Sequence, residues 1–82
     1  MDVNRKIEDL LNSVNIPLED SEKVCEYLEY DEWGVALEHF SATLLDESIE
    51  ITEAIYFQIK QLGEYMELEE QTWESLKTLI NS

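Results

Sequence analysis

The chain has 82 residues, with 20 Asp and Glu against 5 Lys and Arg, and so a formal net charge of −15. Small soluble domains typically carry a charge of roughly 2–8 in magnitude. An acidic excess this large argues against nucleic-acid binding, which needs clustered Lys and Arg, and against anionic membrane surfaces, while 44% apolar residues with two Gly and one Pro argue against disorder.

Helical periodicity dominates the chain. Val3, Ile7, Leu10, Leu11 and Val14 form one stripe and predict a first helix of about three turns. Asn15-Ile16-Pro17 interrupts it, because Pro17 lacks the N–H that a continuing helix requires. Pro suits a first turn, and Leu18, Val24, Cys25 and Leu28 then recur at helical spacing in a second helix that ends near Tyr30. Asp31 has the chemistry of an N-cap for a third helix, whose apolar face is Trp33, Ala36, Leu37, Phe40 and Leu44. The Asp46–Glu50 stretch is charged, lacks a stripe and reads as a connection.

Thr52 is placed to cap a fourth helix, with Ile51 as a hydrophobic staple to Tyr56 and Ile55, Ile59, Leu62 and Met66 as the core face. Gly63 lies inside that pattern at a cost of about 1 kcal/mol relative to Ala, which predicts a close helix contact. A last helix carries Trp73, Leu76 and Ile80, and Trp33 and Trp73 are both expected in the core. No useful segment alternates with period two. The expected fold is all-α: one small domain over residues 1–82, a bundle of four or five short helices.

Catalytic constellations are missing. His39 is the one histidine and follows Glu38 directly, so the two side chains diverge by about 100° on a helix. A nucleophile needs a base within reach, and Cys25 with His39 is the sole combination on offer. Cys25 sits among Val24 and Leu28, where a buried inert thiol is expected. One Cys and one His are too few for zinc, and the acidic Asp46, Glu47 and Glu50 lack the alternating ligands and central Gly of a calcium loop. No Gly-rich phosphate loop is present. The reading is a non-enzyme without cofactor or metal. Cys25 cannot close an internal disulfide, no apolar run approaches ~20 residues, and Met1-Asp2-Val3-Asn4 is not a signal-peptide start, so the expected compartment is the cytoplasm.

The charge is most informative on the second helix. Glu19, Glu22, Glu26 and Glu29 are spaced 3, 4 and 3 residues apart and line one face, set here opposite Leu18, Val24 and Leu28. Like charges at these spacings destabilise a helix by roughly 0.2–0.5 kcal/mol per pair. Tyr30, Asp31 and Glu32 extend the stripe. On the fourth helix Phe57 points away from the core face, beside Glu53, Lys60 and Glu64, either as an interface anchor or as one side of a helix buried on two sides. Dense acid with a few aromatics suits a partner with a basic groove, and opposed potentials speed encounter to about 10⁸–10⁹ M⁻¹s⁻¹ at low salt. Nuclease active sites are such grooves.

The stretch Tyr30-Asp31-Glu32-Trp33-Gly34-Val35-Ala36-Leu37-Glu38 resembles the Glu-Trp-Gly-x-Ala-Leu-Glu-like signature of the MafI-type immunity proteins, a bacterial family paired with polymorphic toxins. Leu62-Gly63-Glu64-Tyr65-Met66 and Trp73-Glu74-Ser75-Leu76-Lys77 follow in the family's order, so the likeness spans roughly residues 18–80. Each motif is short and moderately specific. The resemblance implies an antitoxin that binds a cognate toxin domain at another protein's C-terminus, often a nuclease such as an EndoU-like ribonuclease, with some relatives guarding against contact-dependent inhibition. The motif's Trp33, Gly34, Ala36 and Leu37 serve fold rather than binding, and no binding residue transfers from the family.

The function expected is therefore a cytoplasmic immunity protein that neutralises a basic toxin domain in a stoichiometric heterodimer, with no direct nucleic-acid or membrane contact. Its expected contact surface is Glu22, Glu26, Glu29, Tyr30, Asp31 and Glu32, with Asp46, Glu47 and Glu50 as second choice. The alternatives are an acidic nucleic-acid mimic or adaptor on a housekeeping DNA-binding protein, and a structural subunit that buries Phe57 in an oligomer.

Overall fold

A computed structural model describes residues 2–80. The elements are α1 (Val3–Ser13), α2 (Leu18–Glu29), α3 (Trp33–Asp46), α4 (Glu53–Tyr65), α5 (Gln71–Glu74) and a 3₁₀ turn over Ser75–Leu79. The fold is all-α, a small helical bundle as the periodicity predicts. Among the described residues the only β pairing is an isolated bridge between Ile51 and Ile80.

Helix starts follow side-chain chemistry. The Asp2 carboxylate accepts from the Arg5 N–H at 3.1 Å, and the Thr52 hydroxyl accepts from the Ile55 N–H at 3.2 Å, so α1 and α4 carry side-chain N-caps. Ile51 and Tyr56, the expected staple pair, are both buried. Pro17 precedes α2 directly. Asp31 does not cap α3: that position belongs to Glu32, without a side-chain bond, and Asp31 is held at φ 56°.

Helix ends share one device. After α2 the Asp31 N–H donates to the Leu28 carbonyl at 3.2 Å and the Glu32 N–H to the Tyr27 carbonyl at 2.9 Å. Ser48 and Ile49 repeat this pair of bonds after α3, onto Leu45 and Leu44. Glu67 and Leu68 repeat it after α4, onto Glu64 and Gly63. These are Schellman closures, and all three place a residue other than glycine in the left-handed position: Asp31, Ser48 (φ 50°) and Glu67 (φ 57°).

Packing centres on α3, which meets α1, α2, α4, α5 and the 3₁₀ turn, with α2 its most extensive neighbour. Val3, Ile7 and Leu10 of α1, Val24 and Leu28 of α2, Ala36, Leu37, Phe40 and Leu44 of α3, and Ile55, Ile59 and Leu62 of α4 are buried together with Trp73 and Leu76. Met66 is half-buried. The smallest Cα extent, 18 Å, is under two helix diameters, so the bundle is two layers thick. A Cβ at Gly63 would overlap Cε3 and Cζ3 of Trp73, which is the close contact expected there.

Three expectations about the apolar stripes are corrected. Leu18 is 73% exposed, Cys25 is exposed, and Trp33 sits at the rim, 37% exposed, while Trp73 alone is a core tryptophan. At 100° per residue Leu18 and Cys25 lie within about 40° of Glu29, on the flank of the acidic face and not beside Val24 and Leu28. The last helix is a four-residue α-turn running into 3₁₀, and Ile80 leaves it for the bridge to Ile51, where the Ile51 N–H donates to the Leu79 carbonyl at 3.0 Å.

Candidate protein-binding surface

Burial of Val24 and Leu28 fixes the rotation of α2 about its axis. With those two inward, Glu19, Glu22, Glu26 and Glu29 fall on an arc of about 80° and all four are exposed. Lys23, the sole cation between Leu18 and Glu32, reaches Glu26 only at 4.0 Å with both side chains more than half exposed, a pairing worth little in water. The arc therefore stays strongly negative.

The α2–α3 turn continues this surface. Its Schellman closure points Tyr30 outward, 72% exposed, and leaves Asp31 and Glu32 exposed beside it. Glu22, Glu26, Glu29, Tyr30, Asp31 and Glu32 thus occupy one helix and the turn that follows it. Asp46, Glu47 and Glu50, the second-choice acids, are exposed at the opposite end of α3. A 14-residue helix separates the two groups by about 20 Å. One compact partner loop cannot cover both.

Behind the arc, Asp20 and His39 tie α2 to α3. His39 Nε2 lies 3.0 Å from Asp20 Oδ1, each side chain about one-third exposed, and the His39 ring packs tilted against Tyr27 with centroids 5.9 Å apart. This pair was not foreseen from the sequence. It flanks a depression of about 480 Å³ lined by Glu19, Asp20, Glu22, Lys23, Glu26 and His39. Cys25 lines a different depression, with Asn4, Glu8, Leu28 and Glu29. Thiol and imidazole are not brought together, and among the described residues no group of His, Cys, Asp and Glu is arranged to hold a metal ion.

Elsewhere the ion pairs are local. Lys77 Nζ meets Glu74 Oε2 at 2.8 Å on the 3₁₀ turn. Its hydrogen bond holds the Glu74 carboxyl below its ordinary value, and the same bond raises the Lys77 ammonium. Phe57 stands 57% exposed on α4, as its position opposite Ile55, Ile59 and Leu62 requires, while its neighbour Tyr56 is buried and meets it edge-on at 5.5 Å. Tyr65 is equally exposed and was not singled out from the sequence. No described helix is long and apolar enough to cross a membrane. No known family model, characterised protein or solved structure matches the chain.

Proposed function

We propose that this protein is a cytoplasmic immunity protein that binds and neutralises a basic bacterial toxin domain, a nuclease of the EndoU-like or another ribonuclease class, in a 1:1 complex. The observation that carries this reading is the exposed, strongly acidic face of α2 and its following turn, with Tyr30 projecting from it. A groove that binds a phosphate backbone is lined with Lys and Arg, and an acidic surface with an exposed aromatic matches it in charge and offers an anchor. The motifs at Glu32–Glu38, Leu62–Met66 and Trp73–Lys77 support the same assignment through their likeness to MafI-type immunity proteins.

The test begins with the gene immediately upstream, where this reading expects a large secreted protein ending in a toxin domain. Co-expressed with that domain, the wild-type chain should restore growth and co-elute with it at 1:1. The double reversal Glu26→Lys/Glu29→Lys should abolish both. Full protection by the double variant removes this surface from the interaction. An acidic chain that instead competes with DNA for several unrelated DNA-binding proteins is a mimic, and that result overturns the immunity reading.

A further inference from the structure

The outward face of α4 carries a second, different surface. Phe57 stands at its centre, more than half exposed, beside a shallow depression of about 350 Å³ formed with Lys60, Gln61 and Glu64. Acid is thinner here than on α2: the outward charged side chains of α4 are Glu53, Lys60 and Glu64, a net of −1, against seven acids and one cation from Leu18 to Glu32. A second copy of so acidic a chain meets far less repulsion at such a face than at α2.

We propose that α4 is a homodimer face, in which two copies pair antiparallel about a two-fold axis passing through Phe57. The register follows from helix geometry. With the two Phe57 rings meeting at the axis, Lys60 lies three residues, about 4.5 Å, to one side. Glu53 of the second copy lies four residues, about 6 Å, to that same side, because its helix runs the other way. Lys60 and Glu53 also project to the same side of Phe57, about 60° and 40° around the helix. Each copy therefore sets its one α4 cation against the other's Glu53, twice over by symmetry, flanking a stacked aromatic pair. Glu64 falls a further turn out, at the rim, where solvent screens it. Contact along one helix is short of the roughly 1,200–2,000 Å² of standard stable interfaces, so the dimer is a weak one formed at high concentration.

Sedimentation velocity on the purified chain up to about 1 mM, in about 0.3 M salt to screen the overall repulsion, should show a concentration-dependent dimer. Lys60→Glu and Glu53→Lys should each lower its association constant roughly tenfold, and an equimolar mixture of the two variants should associate more strongly than either alone. Phe57→Ala should weaken it as well. Glu53 and Phe57 are exposed and Lys60 is half-buried, and each variant should keep the wild-type helical circular dichroism. A wild-type chain that stays monomeric throughout overturns the proposal. So does a dimer indifferent to Phe57→Ala, or a mixture with no preferential pairing. Loss of binding to a heterologous partner on Phe57→Ala, with the chain monomeric at all concentrations, reassigns the face to that partner.

Discussion

Two glycines on helices with different surroundings show how a single methyl group decides between gain and loss. At Gly63 a Cβ would run into the rigid ring of Trp73, itself 95% buried and unable to give. Ala improves helix propensity by about 1 kcal/mol, but overpacking a core costs about 1–3 kcal/mol, so Gly63→Ala should be net destabilising in urea unfolding. At Gly34 the same Cβ would meet only the Leu68 Cδ2 tip at 3.3 Å, an end that can shift, so Gly34→Ala should leave stability level or raise it. A loss at both positions, or at neither, contradicts the Trp73 argument. Gly63 was legible because a poor helix former inside a core stripe needs a reason. Asp20 and His39 were not, since their pairing, 19 residues apart, depends on how α2 and α3 rotate against each other. Cys25 and Leu18 were misread because an apolar type was allowed to outvote its angle on the helix.

Helix boundaries were legible to within a residue or two, including the ends of α2 and α3 near Tyr30 and Asp46. The way those ends close was not, and Asp31 was read as the cap of α3. Thr52 and Pro17 announce a start through a hydroxyl acceptor and a missing N–H. An end is usually announced by glycine, and α2, α3 and α4 close instead through Asp31, Ser48 and Glu67 with φ between 50° and 57°. A left-handed conformation costs a non-glycine residue roughly 1–2 kcal/mol. Ser48→Gly and Glu67→Gly should therefore each raise the stability measured in thermal melts by about 0.5–1 kcal/mol, part of the relief being lost to a freer unfolded chain. A fall in stability at either site would show that its side chain makes a contact outweighing the strain. The last helix was likewise misjudged as continuous: Trp73 and Leu76 are buried as their spacing requires, but the backbone tightens to 3₁₀ so that Ile80 can reach Ile51.

For the molecule as a whole, fold class and acidic character were both readable, because periodicity and charge are additive properties of the sequence. Which acids share a surface was readable only in part. Glu22, Glu26 and Glu29 follow from spacing along one helix, whereas the separation of Asp46, Glu47 and Glu50 from them needed the length and direction of α3. A net charge of −15 on so small a body repels itself, and two exposed Lys–Glu contacts do little to offset that. Raising sodium chloride from about 20 mM to 0.5 M shortens the screening length severalfold. The melting temperature should rise by roughly 4–8 °C, about 1 kcal/mol for a domain of this size. A melting temperature unmoved by salt would mean that self-repulsion is negligible in the folded state.

The three glycine-free closures have one more consequence, for the electric field of the helices. A helix carries about half a negative charge at its C-terminus, normally complemented by Lys, Arg or His in the last turn. None of α2, α3 and α4 has a basic residue there. Acids crowd the same ends instead: Glu29, Asp31 and Glu32 at the end of α2, Asp46 and Glu47 at that of α3, Glu64 and Glu67 at that of α4. At the α2 end the helix dipole and the side-chain charges add, so the free chain holds an uncompensated negative pole at Tyr30–Glu32. A lysine or arginine supplied there by another molecule would do for α2 what its own last turn does not, so that such a partner completes the helix as it binds.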